Sequence, residues 1–237
     1  MKIVIVSQNI SPECHRALML RGFRVITLPP DPSLGEAVST HPDTLLFRSG
    51  NEIITTADYC DAAAYVFSEL RECLPGLKIS FTSDERGEKY PTDCIMNALV
   101  VGNKIFAKLD TLSYAVRDFA LEHQMELVHT RQGYPACTTL VFGNNAITAD
   151  EGMARALTSN GVNVTLIRAG HISLCGCEYG FIGGASGVFG KEVYFFGDVL
   201  LHPDGELILD TIKRAGFTPV SLSTAPLTDL GGMIFIE

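Results

Sequence analysis

Gly-Asn-Lys-Ile-Phe-Ala at residues 102–107 is one of four similar stretches that decide the fold of this chain. The others are Gly-Asn-Glu-Ile-Ile-Thr at 50–55, Gly-Asn-Asn-Ala-Ile-Thr at 143–148 and Gly-Lys-Glu-Val-Tyr-Phe at 190–195. Each glycine lies between two apolar runs. A glycine with a polar neighbour at such a place predicts a β-hairpin, because tight hairpin turns need positive φ. The turns recur about every 40 to 50 residues, a period typical of repeat architectures.

A helix and a further strand are predicted after each hairpin. Apolar residues at helical spacing occupy residues 58–73, 110–124, 150–160 and 204–215. Asp110, Asp150 and Asp204 stand where helix-capping residues belong. Short β-rich runs follow at residues 77–82, 125–130, 162–167 and 217–222. The repeating unit is therefore strand, turn, strand, helix, strand.

The two ends of the chain supply the parts of one further unit. Residues 1–28 predict a strand, a helix and a strand, and residues 231–237 predict the one strand that this set lacks. Joining them closes a ring and removes exposed sheet edges. We therefore predict an α/β fold: a five-fold pseudo-symmetric α/β propeller of ββαβ units in one domain, residues 1–237. The approximate units are 231–237 plus 1–30, 41–83, 91–130, 134–168 and 182–222.

Composition and charge restrict the classes of partner. The net charge is −9, and no basic stripe is visible, which argues against nucleic-acid binding. No apolar run approaches the roughly 18–20 residues that cross a membrane, and the apolar start of the chain is too short for a signal peptide. The seven cysteines are an odd and dispersed set, typical of a reducing cytosol. We expect a cytoplasmic protein without disulfides, and a homo-oligomer is compatible with the sequence.

Five such units in a ring resemble the pentein, or guanidino-group-modifying, superfamily. That superfamily includes arginine deiminases, dimethylarginine hydrolases, amidinotransferases and the non-enzymatic ribosome anti-association factor of archaea and eukaryotes. The resemblance covers the whole chain. The local segments at residues 90–93, 132–137 and 180–187 look more like an uncharacterised bacterial branch than any of the named enzymes.

The resemblance implies a site at the ring centre, built from the loops before the first strand of each unit. Enzymes of the superfamily use a cysteine nucleophile from the last such loop, a histidine from the preceding unit, and carboxylates that hold the planar guanidinium. His171 lies in the loop before the fourth hairpin unit and matches that histidine. The last loop, residues 223–232, contains no cysteine and has glycine where the nucleophile is expected.

Other thiols are therefore the candidates for a relocated nucleophile. Cys137 is expected to open the first strand of the third hairpin unit, and Cys175 forms a Cys-x-Cys pair with Cys177 close to His171. A zinc site would need ligands beyond that pair, and no second pair exists, so we expect no metal and no other cofactor.

Polar residues at the starts of first strands are the candidate ligand contacts, because buried inner strands tolerate polar groups only when they are paired. They are His41, Asp43, Asp93, Asn97 and Asp229. Gly183 and Gly184 belong to a glycine-rich loop at residues 170–190. Such a loop is typical of a backbone that approaches a ligand, or of close packing alone.

Two functions remain open at this stage, and the sequence does not decide whether the chain is an enzyme. The first is a protein that binds a small cationic ligand, of guanidino, amidino or amino-acid-like type, without the usual cysteine nucleophile. The alternative is a hydrolase or amidinotransferase for a guanidino compound that uses a relocated thiol and His171. The missing cysteine in the last loop favours the first.

Overall fold

The two ends of the chain pair in the computed structural model, which describes all residues 1–237. Strand β1 (Ile3–Ser7) is followed by helix α1 (Pro12–Leu20) and strand β2 (Arg24–Leu28), and strand β15 (Ile234–Ile236) comes from the other end. β1 runs antiparallel to β15, with Ile3 opposite Ile236, and parallel to β2. The predicted closure of the ring is therefore confirmed.

The four predicted hairpins are present, and each turn glycine has a φ between 55° and 59°. Their strands are β3 (Phe47–Ser49) with β4 (Glu52–Thr56), β6 (Leu99–Val101) with β7 (Lys104–Ala107), β9 (Thr139–Phe142) with β10 (Asn145–Thr148), and β12 (Ser186–Phe189) with β13 (Glu192–Phe195). The second strand of each hairpin is the middle strand of a three-stranded sheet.

Helices then lead to the third, parallel strand of each sheet. After the first hairpin these elements are α3 (Ala57–Ala62), α4 (Ala64–Cys73) and β5 (Lys78–Thr82). After the second they are α5 (Tyr114–Glu122) and β8 (Glu126–His129), and after the third α7 (Glu151–Ser159) and β11 (Asn163–Leu166). The fourth hairpin is followed by a 3-10 helix (Val199–Leu201), α8 (Gly205–Arg214) and β14 (Thr218–Ser221). With the sheet formed by the chain ends, there are five three-stranded sheets. The predicted fold class, a ring of ββαβ units, is thus confirmed.

The predicted helix caps are only partly present. Asp150 caps α7 by accepting a hydrogen bond from the Met153 amide. Asp110 lies before the true start of α5, where Ser113 is the cap. Asp204 precedes α8 but bonds Arg168 instead of the helix amides. The tertiary structure therefore decides which hydrogen-bond donor an aspartate near a helix start binds.

Two segments expected to open inner strands are short helical turns instead. They are α2 (Pro42–Leu45) and α6 (Pro135–Thr138), each with its proline in the first turn. Proline has no amide hydrogen and a fixed φ near the helical value, so the first position of a helical turn suits it as well as a strand start does. These turns fix the direction of the residues that follow each proline, including Asp43 and Cys137.

The hydrophobic core is divided into five clusters, and each lies between neighbouring units. The largest contains 16 buried residues and joins β1 and β2 to α4. The others join the remaining pairs of neighbours in the same way. Because no cluster occupies the middle of the ring, the centre is left to the polar residues of the loops. No helix has the length and apolar character needed to cross a bilayer.

A central pore of about 280 Å³ is lined by the first strands of all five sheets. Its lining includes one residue from each of these strands: Arg48, Val100, Val141, Val188 and Ile234. The first four each lie two residues before a turn glycine, so they are equivalent positions of the repeat. Arg48 is the one charged side chain among them.

Candidate functional site

Three loops bring four chemically active side chains together at the ring centre. His41 and Asp43 come from the loop before β3, Cys137 from α6, and Asp229 from the loop before β15. Ligand-type atoms of His41, Asp43 and Cys137 all lie within 4.8 Å of one another. Asp229 Oδ1 is 3.8 Å from His41 Nδ1, and Asp229 Oδ2 is 3.2 Å from Cys137 Sγ. We call these four residues the central cluster.

Backbone hydrogen bonds hold the loops of the central cluster in place. The Asp43 amide donates to the Gly231 carbonyl, and the Gly184 amide donates to the Cys137 carbonyl. The amides of Leu230 and Gly232 both donate to the Gly184 carbonyl. The loops before β3, β9, β12 and β15 are thereby connected, although they are distant in sequence.

Gly184 and Gly231 leave the space that the cluster fills. A Cβ on Gly184 would lie 1.9 Å from Asp229 Oδ1 and 2.7 Å from Cys137 Sγ. Gly231 has a φ of 74°, and its Cβ would lie 2.3 Å from that of His41. Neither position accepts a side chain without movement of its neighbours. The glycine of the last loop is thus required by packing against His41.

Gly183 lines the pore and packs against the backbone of α6. A Cβ there would lie 2.2 Å from the Ala136 carbonyl oxygen. Packing therefore explains Gly183, while Gly184 also shapes the central cluster. Close packing thus accounts for both glycines, and approach of this backbone to a ligand stays a prediction.

Asp229 is the best-held member of the central cluster. Its Oδ2 accepts a hydrogen bond of 2.8 Å from the Phe181 amide, and its Oδ1 accepts one of 3.0 Å from the Gly231 amide. Cys137 Sγ donates to the same carboxylate. These donors stabilise a carboxylate that is almost completely buried.

Asp43 and His41 are held less completely. Asp43 Oδ1 accepts from the Thr44 hydroxyl, but its buried Oδ2 has no hydrogen-bond partner. His41 Nδ1 is also buried and has none. Buried polar atoms are normally paired, so these two atoms mark a place where a ligand atom could be accommodated.

Burial shifts the pKa of Asp43, His41 and Cys137 in the same sense, toward the neutral form. Desolvation, with the charge of Asp229, raises the pKa of Asp43 to about 7. Desolvation lowers the pKa of His41 and, reinforced by Asp229 and Asp43, raises the pKa of the Cys137 thiol well above its usual value. In the absence of a ligand, the cluster therefore disfavours a thiolate.

Asp93 and Asn97 form a neighbouring polar group against the loop of Tyr134. The Tyr134 hydroxyl donates to Asp93 Oδ2, and Asn97 Oδ1 accepts from the Ala136 amide. Desolvation raises the pKa of Asp93. Asp93 Oδ1 and Asn97 Nδ2 are buried without a partner. Both residues thus support the chain segment that carries Cys137.

His171, Cys175 and Cys177 are not part of the central cluster. All three are exposed, and the His171 ring faces His202 with a centroid distance of 5.6 Å. The expectation that His171 lines the centre does not match its exposed position: the Ser173 carbonyl two residues later accepts from the Asp229 amide, but the His171 side chain points to solvent. The histidine found beside a buried thiol is His41.

Arg48 is a functional candidate that the sequence analysis did not single out. It lines the pore together with Asp43, and its guanidinium forms no ion pair. The side chain reaches water, but the surrounding protein lowers its pKa by desolvation. Aligning the four hairpins on their glycines would have found it, since valine occupies the three equivalent positions.

The sequence matches a family model over residues 5–234, described as "Family of unknown function (DUF6873)". The chain belongs to this family. No curated protein matches the sequence.

Solved structures with the same fold are guanidino-modifying enzymes. A DDAH mutant from Pseudomonas aeruginosa, solved with citrulline, has a TM-score of 0.58 and 13% identity, covering 94% of this chain and 92% of its own. SxtG, an amidinotransferase from Microseira wollei, has a TM-score of 0.55 and 14% identity, covering 93% and 88%. Agmatine deiminase of C. jejuni has a TM-score of 0.53 and 8% identity, covering 94% and 86%. The chain therefore has the pentein fold.

Proposed function

We propose that the ring centre binds a small organic cation of guanidino, amidino or amino-acid-like type, without a nucleophile from the last loop. The observation that carries this proposal is a pair of carboxylates at the ring centre, the buried Asp229 and the partly buried Asp43 that lines the pore, with which no lysine or arginine pairs. Buried carboxylates are normally paired with a cation. A planar amidinium offers the charge and the parallel N–H donors that carboxylates accept bidentately.

Arg48 favours an amino-acid-like ligand over a simple cation. It shares the pore with Asp43 but forms no ion pair with that or any other carboxylate of the protein. A ligand that carries a guanidinium at one end and a carboxylate at the other would supply a partner to both residues. The pore volume of about 280 Å³ is close to the lower limit of small-molecule sites.

Calorimetric titration in a chelating buffer tests this proposal. Arginine should bind, and citrulline, which has a neutral ureido group in place of the guanidinium, should bind at least tenfold more weakly. Asp43→Asn should weaken arginine binding by a similar factor, because a charged hydrogen bond is lost. Asp58→Asn, at an exposed helix start, is the matched control.

A comparison of arginine with agmatine tests the role of Arg48. Agmatine has the guanidinium of arginine but no carboxylate, so Arg48→Met should weaken arginine binding and leave agmatine binding within twofold. Equal binding of arginine and citrulline, or no binding of any guanidino compound, would contradict the proposed function.

The alternative function is a thiol-dependent hydrolase or amidinotransferase. It is favoured by one observation, the proximity of Cys137 to His41 and Asp43 within 4.8 Å. The raised pKa of the thiol weighs against it. A haloacetamidine that labels Cys137 faster than Cys175 and Cys177, with loss of labelling in Cys137→Ser, would establish the alternative. Labelling of the two exposed thiols first is the result that we expect.

The remaining expectations on partners belong to the same proposal. The net charge of −9 supports a small-molecule ligand rather than a nucleic acid. The seven free cysteines support a cytoplasmic protein, because such thiols persist in a reducing compartment.

A further inference from the structure

The central cluster has the donor atoms and the spacing of a metal site. It offers one imidazole nitrogen, one thiol sulfur and two carboxylates, from His41, Cys137, Asp43 and Asp229. Zinc bonds of about 2.0–2.3 Å in a tetrahedron separate neighbouring ligand atoms by roughly 3.3–3.8 Å. Asp229 Oδ1 lies 3.8 Å from His41 Nδ1 and 3.4 Å from Cys137 Sγ. The ligand atoms of His41, Asp43 and Cys137 lie within 4.8 Å of one another and would move inward by up to about 1.5 Å on binding zinc.

Two of these atoms have no partner without a further ligand. His41 Nδ1 and Asp43 Oδ2 are buried and make no hydrogen bond, and the His41 side chain is only 3% exposed. An unpaired buried polar atom loses its hydrogen bonds to water without replacing them, so both atoms are unfavourable in the ligand-free protein. A cation bound between them would satisfy both atoms at once, and neutral imidazole nitrogen and carboxylate oxygen are ordinary ligands of zinc.

The groups around the cluster hold its side chains as an outer shell of a metal site does. The amides of Phe181 and Gly231 each donate to Asp229, and the Thr44 hydroxyl donates to Asp43. Such bonds fix the orientation of metal ligands and reduce the cost of ordering them. Because Gly184 has no side chain, Cys137 and Asp229 pack directly against its backbone, which holds both side chains in place.

We propose that His41, Asp43, Cys137 and Asp229 bind one divalent ion of the zinc type. The ion reaches them through the pore, which Asp43 lines. On binding, the Cys137 S–H proton passes to water and a sulfur–metal bond forms. With three anionic ligands, a divalent ion leaves the cluster with one net negative charge. This reverses the expectation of no metal, which considered the Cys175–Cys177 pair and not residues dispersed over three loops.

The metal site goes beyond the proposed function and does not depend on it. Both ligands require Asp43 and Asp229, so the metal and an organic cation exclude each other. Binding of the metal is therefore measured without any organic ligand, and binding of arginine is measured in chelator. Each proposal can fail while the other holds.

Titration of the chelator-treated full chain with Co²⁺ tests the metal site. A thiolate-to-cobalt charge-transfer band should grow to one equivalent, and Zn²⁺ should abolish it by displacement. Cys137→Ser should lose the band while keeping its circular dichroism spectrum. The double variant Cys175→Ser/Cys177→Ser, whose thiols are exposed, is the matched control and should keep the band. No band in the unchanged protein, or a band lost only in the double variant, overturns the proposal.

A measurement on the unchanged protein removes any dependence on variant folding. X-ray absorption of the cobalt-loaded chain should give a four-coordinate shell with one sulfur and three nitrogen or oxygen atoms. A six-coordinate shell of oxygen atoms, without sulfur, also overturns the proposal. Elemental analysis of untagged protein should find about one zinc ion per chain.

Discussion

Two buried acidic centres of this protein differ in how completely they are paired. In the Asp31–Arg86 pair, Asp31 Oδ2 accepts from the guanidinium at 2.6 Å, and Asp31 Oδ1 accepts from both the amide and the hydroxyl of Ser33. In the central cluster, Asp43 and Asp229 face a thiol and an imidazole, and Asp43 Oδ2 has no partner.

The difference separates a structural centre from a binding centre. Arg86 also donates to the Leu45 carbonyl, so the pair fastens the loop after Thr82 to the segment that leads into β3. The two charges are matched within the protein, although Arg86 Nε is buried without a hydrogen-bond partner. The carboxylates of the central cluster have no lysine or arginine partner, and a bound cationic ligand would supply the missing positive charge.

Arg86→Met should cause the largest loss of stability. Asp31 would be left buried without its counter-charge, which costs about 3–5 kcal/mol. Urea unfolding measures this loss. Arg168→Met, which breaks the exposed Arg168–Asp204 pair, is the control and should cost under about 1 kcal/mol. Similar losses in the two variants would show that the buried pair has no special structural role.

Gly184→Ala should disturb the central cluster itself. The new Cβ would overlap Asp229 and Cys137, and overpacking of this kind costs about 1–3 kcal/mol. Gly35→Ala is the control, since its Cβ would meet nothing closer than 4.0 Å. Thermal unfolding compares the two variants. If Gly184→Ala is as stable as the control, the close packing at the centre is wrong.

Asp43→Asn should stabilise the chelator-treated protein at high pH. The folded pKa of Asp43 is raised from 3.8 to about 7. Its contribution to stability is therefore complete below about pH 3.8 and is lost as the pH rises through about 7. At pH 8 the variant should exceed the unchanged protein by about 1–2 kcal/mol, less than the full shift implies, because the pore admits water.

Urea unfolding at several pH values measures this difference in stability. The advantage of Asp43→Asn should shrink toward zero near pH 4, while Asp58→Asn should show no such trend. A constant difference between pH 4 and pH 8 would contradict an Asp43 carboxyl that is protonated in the folded state.

His171→Ala and Cys175→Ser should have the smallest effects. Both side chains are exposed and lie outside the central cluster, so stability should change by no more than about 0.5 kcal/mol. Binding of Co²⁺ and of arginine should also be unchanged within twofold. If His171→Ala no longer binds Co²⁺ or arginine, His171 is part of the binding site.

Sequence alone determined the architecture of the ring. Turn chemistry and hydrophobic period act over a few residues, so the glycines at 50, 102, 143 and 190 predict hairpins that the structure contains. The same local patterns predicted that residues 231–237 complete the sheet of β1. They also placed Asp43, Cys137 and Asp229 in loops before first strands, where the ring brings such loops together.

Only the tertiary structure decided which side chains meet. Cys137 and Asp229 are 92 residues apart and in contact, whereas His171, which is closer to Asp229 in sequence than Cys137 is, faces solvent. Loop direction depends on the short turns after Pro42 and Pro135 and on backbone contacts at Gly184 and Gly231, none of which has a periodic signal. The spacing of apolar residues along a helix or strand shows which of its faces is buried. It carries no information on where a polar side chain at the end of that element points, so the identity of the central cluster required the folded chain.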